Sequence, residues 1–158
     1  MKIRVVDTNV LVVANGGHEG ASSSCQLASI EALKGILSNG RIVVDCGGEI
    51  SGEYRRYCNP SGQPKIGDMF YREVVLNYSQ KLLRVDLVKN ADGSFVDFPV
   101  DPLLRNFDPS DRKFVAASVK SGAPVMNSTD SDWLIHKEEL KNNGISIEFV
   151  CGEMPGIW

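Results

Sequence analysis

Long apolar runs are missing from this sequence. A membrane-crossing helix needs about 20 consecutive apolar residues, and no stretch of the chain supplies them. The start, "MKIRVVDTN", has neither the extended apolar segment nor the cleavage site of a secretory signal. The expectation is a cytoplasmic protein with no membrane partner. Cysteine is scarce: Cys25, Cys46, Cys58 and Cys151 form no CxxC pair. Histidine is scarcer, with only His18 and His136, so zinc-like spacing is absent. The four cysteines are therefore read as reduced, mostly buried thiols. An excess of positive charge is lacking too, since 17 Lys and Arg against 20 Asp and Glu leave a net charge of −3. That sum gives no global pull on a polyanion, although a local basic rim would suffice to hold one. "DCGGE" has neither the GxGxxG spacing nor the Lys-Ser/Thr of a phosphate loop.

What is present is an ordinary globular balance, 42% hydrophobic and 23% charged over 158 residues, read as a single domain, 1–158. "KIRVV" reads as a strand, and "TNVLVVAN" turns helical after Asp7. "GGHEGASSS" is loop. "SSSCQLASIEALKGILSNG" places Leu27, Ile30, Leu33, Ile36 and Leu37 at helical spacing, with Gly40 expected to close the helix in a left-handed conformation. "RIVVDC" is a second buried strand. "GGEISGEYRRYC" is a helix with Ile50, Tyr54 and Tyr57 on one face. "NPSGQPKIGD" breaks the chain, "MFYREVVLNYSQKLL" is helical, and "LRVDLV" is a candidate strand. Residues 90–108 carry no clear period and hold a short hairpin or loop. "PSDRKFVAASVKSG" is a strong helix ending at Gly122, "APVMN" a strand, "SDWLIHKEELKNNG" a helix, and "ISIEFV" the last strand, before an irregular tail "CGEMPGIW". Alternating strands and helices predict an α/β fold with a parallel sheet. In such sheets the sites lie beyond the carboxyl ends of the strands.

Acidic residues sit at those ends. Asp7 closes the first strand. Glu49 and Glu53 follow the second. Asp108 and Asp111 open the "PSDRKFVAAS" helix, and Asp130 and Asp132 follow "APVMN". Each has a local reading as a helix cap or a dipole partner. Three features ask for more. Asp111 shares a helix face with Phe114, Val115 and Ser118, which is the inward face. Glu49 and Glu53 repel at i,i+4 unless a cation lies near. A parallel sheet gathers all four junctions along one edge, where carboxylates raise one another's pKa or bind cations. An all-oxygen set selects hard cations, Mg2+ or Mn2+, and such sites serve phosphoryl chemistry.

Taken in order, "VVDTNVLV", a glutamate on the helix after strand two, "DPSDRKFVAAS" and "NSTDSDWL" resemble the PIN-domain family across residues 1–58 and 108–150. The resemblance implies a three-layer α/β/α sandwich with a central, mostly parallel sheet. It also implies a metal-dependent endoribonuclease that hydrolyses single-stranded RNA. Many small bacterial members are VapC-type toxins, so a toxin–antitoxin pair, an antitoxin protein and a homodimer are the partners implied. Residue by residue, it makes Asp7, Glu53, Asp111 and Asp130 the catalytic metal ligands, Glu53 being preferred over Glu49, with Asp132 as an auxiliary ligand. Thr8, Asn9 and Ser128 would orient carboxylates through hydrogen bonds. Residues 59–107 form a variable insert, longer than in the compact toxins.

Candidate substrate groups are Arg112 and Lys113, which directly follow Asp111, and Arg56, with Arg55, Lys65, Arg72 and Arg105 as further basic residues. Tyr57, Tyr71 and Trp133 are the aromatics for base stacking, with Tyr57 weighed also as a core residue. Strand one ends in "DTN", which lacks the paired acids of a phosphotransfer receiver and the DxDxT of a haloacid-type phosphatase. The remaining alternative is a non-catalytic PIN-like nucleic-acid-binding or scaffolding module.

Overall fold

Strand β1 (Lys2–Val6) runs from an exposed lysine to two fully buried valines, and that gradient suits a strand at the middle of a sheet. The computed structural model describes residues 2–77, 80–154 and 158. Among them β1 is flanked by β2 (Gly40–Asp45) and β4 (Val125–Asn127), with β3 (Leu82–Val85) and β5 (Ile147–Phe149) at the edges. Every pairing is parallel, in the order β3-β2-β1-β4-β5. The expected α/β fold is thus observed, with a sheet that is wholly rather than mostly parallel.

The connections step one way from β1 to β3 and the other way from β3 to β5. Right-handed crossovers then place their helices on opposite faces. On one side α1 (Thr8–Ala14) and α2 (Ser23–Asn39) pack together, α2 also covering β2 and touching α4 (Ile66–Phe70). On the other, α5 (Arg112–Ser121) lies across the four strands from β3 to β4. Helix α3 (Glu49–Tyr57) packs on β2 and reaches both α1 and α5. Helices α6 (Ser131–Ile135) and α7 (Lys137–Asn142) join β4 to β5. The result is a three-layer sandwich whose single apolar core contains Val5, Val6, Ile42, Val44, Phe114 and Trp133.

Several sequence expectations change. Gly40 is extended (φ −135°) and begins β2, because α2 feeds the strand with no loop between them. A Cβ there would lie 2.8 Å from Ile36 Cα, so the close approach, not a left-handed turn, requires glycine. Helix α4 continues as one wide π turn, Tyr71–Leu76, which keeps Tyr71, Val74 and Val75 inward. The rest of that expected helix includes 78 and 79, outside the described residues, as are 155–157 of the tail. The helix expected over 131–144 breaks at His136, whose ring packs edge-on against Phe107 at 5.4 Å. Over 89–108 one antiparallel bridge, Lys89 to Phe95, and a short 3-10 turn, Pro102–Leu104, are the regular features. Leu104 and Phe107 enter the common core, so part of the 59–107 insert belongs to the same packed unit.

The cysteine reading is corrected. Cys25 and Cys151 form a disulfide with Cα atoms 4.9 Å apart, while Cys58 is buried and Cys46 exposed as free thiols. No sequence spacing announces a pair separated by 126 residues. A crosslink restricts the unfolded chain and is typically worth about 2–4 kcal/mol. Reduction is therefore expected to lower the melting temperature by about 5–15 °C, and Cys25→Ser should melt at the reduced value with or without reductant. Equal melting temperatures of the oxidised and reduced wild type would count against the bond. No helix among the described residues is long and apolar enough to cross a membrane.

Candidate metal centre

Asp7 follows directly on β1, and its backbone N–H donates to the Met126 carbonyl at 3.0 Å. Its side chain caps α1: the Asn9 backbone N–H donates to Oδ1 at 3.0 Å. The buried Trp133 indole donates to Oδ2 at 2.6 Å. Asp130 caps α6 in the same manner, accepting from the Asp132 N–H at 3.0 Å through one oxygen. Asp108 caps the 3-10 turn Pro109–Asp111 through the Ser110 N–H at 2.9 Å. This relieves Asp111 of a capping role, and its carboxyl makes no cap bond. It turns inward as its shared face with Phe114 and Val115 requires.

The outcome is a cluster. One carboxylate oxygen from each of Asp7, Asp111 and Asp130 lies within 4.8 Å of the other two. Burial raises the Asp7 carboxyl to about 7, helped by the charges of Asp130 and Glu53 and opposed by the two N–H donors. Burial raises Asp111 further, to about 10, together with the charge of Asp7 and a proton-requiring hydrogen bond with Asp130. Oδ2 of Asp111, buried, has no hydrogen-bond partner among the described residues. A buried acceptor without a donor is costly. Three hard oxygen donors, one of them orphaned, fit a divalent ion, and the triad can hold a metal.

Glu53 lies on the same cleft but outside this triad. The cleft, about 250 Å³, is lined by Asp7, Thr8, Asn9, Glu53, Tyr57 and Asp111, among others. The buried Tyr54 hydroxyl donates to the Val6 carbonyl at 2.5 Å and pins α3 beside the end of β1. The Glu53 carboxylate is then held by the Thr8 hydroxyl and by Lys113 Nζ at 3.0 Å. Glu53 is thus answered by a lysine of the protein itself. Glu49 is exposed and pairs with Lys89 at 2.9 Å, away from the site. Asp132 is not brought to the triad: it accepts from the Asp108 N–H at 2.7 Å and faces His136 Nδ1 at 3.4 Å, holding the turn before Asp111 in place.

The orienting residues divide. Thr8 orients Glu53 as expected. Asn9 acts on backbone instead: its carbonyl oxygen accepts from the N–H of Ser128 (2.8 Å) and Thr129 (3.3 Å), and its amide donates to Asn127 Oδ1 at 2.8 Å. The Ser128 hydroxyl faces Ser29 of α2 at 2.8 Å, so it orients no carboxylate. Arg112 is corrected as a substrate group. Its guanidinium donates to the carbonyls of Phe107 and Arg105 and lies 4.7 Å over the Phe98 ring, fastening residues 98–107 to α5. Lys113 is engaged with Glu53, and Arg56 is exposed. Trp133 and Tyr71 are buried and cannot stack on a base. Tyr57, placed on the inward face by spacing, is instead 57% exposed and walls the cleft. It ends α3, where the helix has passed the core that covers Ile50 and Tyr54.

Asn127 and the Asp7–Trp133 bond escaped the sequence reading. Asn127 had a signal, a polar residue in a buried strand just before "STD": its side chain brackets Asp130, accepting its N–H and donating to its carbonyl, each at 3.1 Å. Trp133 had none, because its partner lies 126 residues away. Comparison with family models, curated proteins and solved structures finds no match to this chain.

Proposed function

We propose that this chain is a divalent-metal-dependent endoribonuclease of PIN type, with Mg2+ or Mn2+ as its ion and single-stranded RNA as its substrate. The observation that supports it most is the orphaned Asp111 oxygen within the Asp7–Asp111–Asp130 triad, at the carboxyl edge of a parallel sheet. Asp7 and Asp130 each use one oxygen as a helix cap, which fixes the carboxylate before any ligand arrives. Asp111 releases its proton as the ion enters. When bound, the ion supplies a water of lowered pKa and offsets charge on the attacked and leaving oxygens. Glu53, steadied by Thr8 and Lys113, is placed on the cleft to orient water or a second ion. In-line attack by water leaves a 5′-phosphate and a 3′-hydroxyl.

The test is incubation of purified protein with labelled single-stranded RNA in Mg2+, in Mn2+ and in chelator. Cleavage with either ion, absent in chelator, and 5′-phosphate ends are expected. A cyclic phosphate product would contradict the mechanism. Folded protein that binds RNA but cleaves none with either ion would favour the non-catalytic binding or scaffolding module. Toxin action, with a cognate antitoxin, predicts growth arrest on expression. A homodimer predicts twice the monomer mass in solution. The reading assigns the cytoplasm, where the Cys25–Cys151 bond stands against a reducing thiol pool.

Tyr57 presents the exposed ring on this cleft. A stacked base is worth about 1–3 kcal/mol. Tyr57→Ala is expected to raise KM about tenfold with little change in kcat, and Tyr57→Trp to restore it. Equal KM values for wild type and Tyr57→Ala would exclude stacking.

A further inference from the structure

We propose that a second cleft, on the other flank of α3, binds a backbone phosphate of the same RNA strand between Arg55 and Arg84. The inference rests on the ribonuclease reading and adds to it where the substrate runs. Positions 51, 52 and 55 share one stripe of α3 by i, i+1 and i+4 spacing, and Gly48, the residue before the helix, lines the same side. Three of the four are small, and they leave a cleft of about 370 Å³ between α3, the π turn and the β2–β3 edge. A Cβ on Gly52 would meet nothing within 4 Å, so the space is open. Arg84 enters from β3, on the same face as Leu82.

Neither arginine makes an ion pair or hydrogen bond among the described residues, and no Asp or Glu lines the cleft. Both arginines are exposed and line the same cleft. A phosphate answers both, because each fork offers paired donors to its oxygens. The apolar floor, from Val44, Val75 and Leu82, suits the body of a nucleotide rather than a bare ion.

Placement along α3 sets the path. Glu53 and Tyr57 face the acidic cleft, and Arg55, two residues from each, faces the other. A strand held at both must cross the helix, whose diameter with side chains is about 10–12 Å. A flexible single strand of several nucleotides makes that crossing, and a mononucleotide does not. The crossing passes the exposed Arg56.

The test is fluorescence anisotropy of a labelled 12-nucleotide single-stranded RNA in chelator, so that neither metal nor cleavage contributes, with cleavage in Mn2+ measured in parallel. Without the two guanidinium groups, R55Q/R84Q is expected to bind about tenfold or more weakly than wild type. Its log–log salt dependence should be shallower by about 0.7 for each phosphate no longer neutralised. Gly52→Leu, which fills the cleft and leaves both charges, should also weaken binding. R55K/R84K should recover part of it, and in the cleavage assay KM should rise with kcat unchanged. Wild-type affinity in R55Q/R84Q, with RNA still cleaved, would overturn the phosphate clamp and leave the nuclease reading standing. Wild type that neither binds nor cleaves RNA would overturn both. Arginine-dependent binding of inorganic phosphate or a mononucleotide, with RNA affinity unaffected by the substitutions, would overturn the strand path.

Discussion

Asp111→Asn is expected to abolish metal-dependent cleavage while raising the melting temperature of the metal-free protein above pH 7. The two effects have one cause. Asp111 is the member of the triad whose buried Oδ2 has no donor among the described residues, and its carboxyl is pushed up to about 10 by burial, then by Asp7 and Asp130. It is the group that gains most from a cation and costs most without one. Asn keeps the shape and removes the charge. Losing a ligand that helps place the ion removes about 4 kcal/mol of transition-state stabilisation, or about a thousandfold in rate. In the metal-free fold above pH 7 the raised carboxyl must hold a proton that the unfolded chain has released, and an amide spares that cost, which should return about 2 kcal/mol, or about 4–8 °C. Activity within about tenfold of wild type would remove Asp111 from the reaction. A fall in metal-free stability at pH 8 would show that its carboxyl is satisfied by a contact other than a metal.

The second large effect is on pH dependence. Without metal, the protein is expected to lose stability as pH rises from 5 to 8, and Mn2+ should cancel that loss. Unfolded aspartate titrates near 3.8, whereas Asp7 is raised to about 7 and Asp111 to about 10 in the fold. Between these values the folded chain holds protons that the unfolded chain has released, so the slope of stability against pH is negative. The stabilising term is fully present below about pH 4 and is lost as pH climbs through the folded values. Each group contributes at most about 1.4 kcal/mol per pH unit over its window. A divalent ion replaces the protons and binds more tightly as they leave. The shift produced by a few millimolar Mn2+ should therefore be larger at pH 8 than at pH 6. Thermal melts of wild type and Asp111→Asn, each with and without Mn2+, isolate the triad from other titrating groups. A metal-free melting temperature that rises over this range, or no shift with Mn2+, would refute a cation-binding triad.

Capping and metal binding are not alternatives at Asp7 and Asp130. A cap uses one carboxylate oxygen, and the bond that satisfies a helix N-terminus also holds the side chain in position. At the third junction the work is divided: Asp108 caps, and Asp111 is freed to face inward. Sequence alone turned Asp111 inward by its helix face, but for Asp7 and Asp130 it offered a cap reading and a ligand reading side by side.

Much of the fold was legible because its signals are local. Alternating apolar runs and helical spacings marked β1, β2, α2, α3 and α5. The parallel sheet followed from their alternation, since parallel neighbours need crossovers. The features that were not legible depend on distant partners. Arg112 looked like a substrate group until the carbonyls of Arg105 and Phe107 and the Phe98 ring claimed it. Tyr57 looked inward by spacing, yet α3 outruns the core before its last residue. The Cys25–Cys151 bond joins an early helix to the chain after the last strand.

Residue order by itself determined where the carboxylates stand along the chain, at the ends of strands and the starts of helices, because periodicity and capping chemistry act over a few residues. Tertiary structure alone decided which of them meet. Asp7, Asp111 and Asp130 converge because β1 and β4 are neighbours and α5 crosses both. Glu53 is drawn aside by Lys113, and Asp132 by the backbone of Asp108. Asp7 itself is oriented by an indole 126 residues further along the chain, a partner that no local pattern announces.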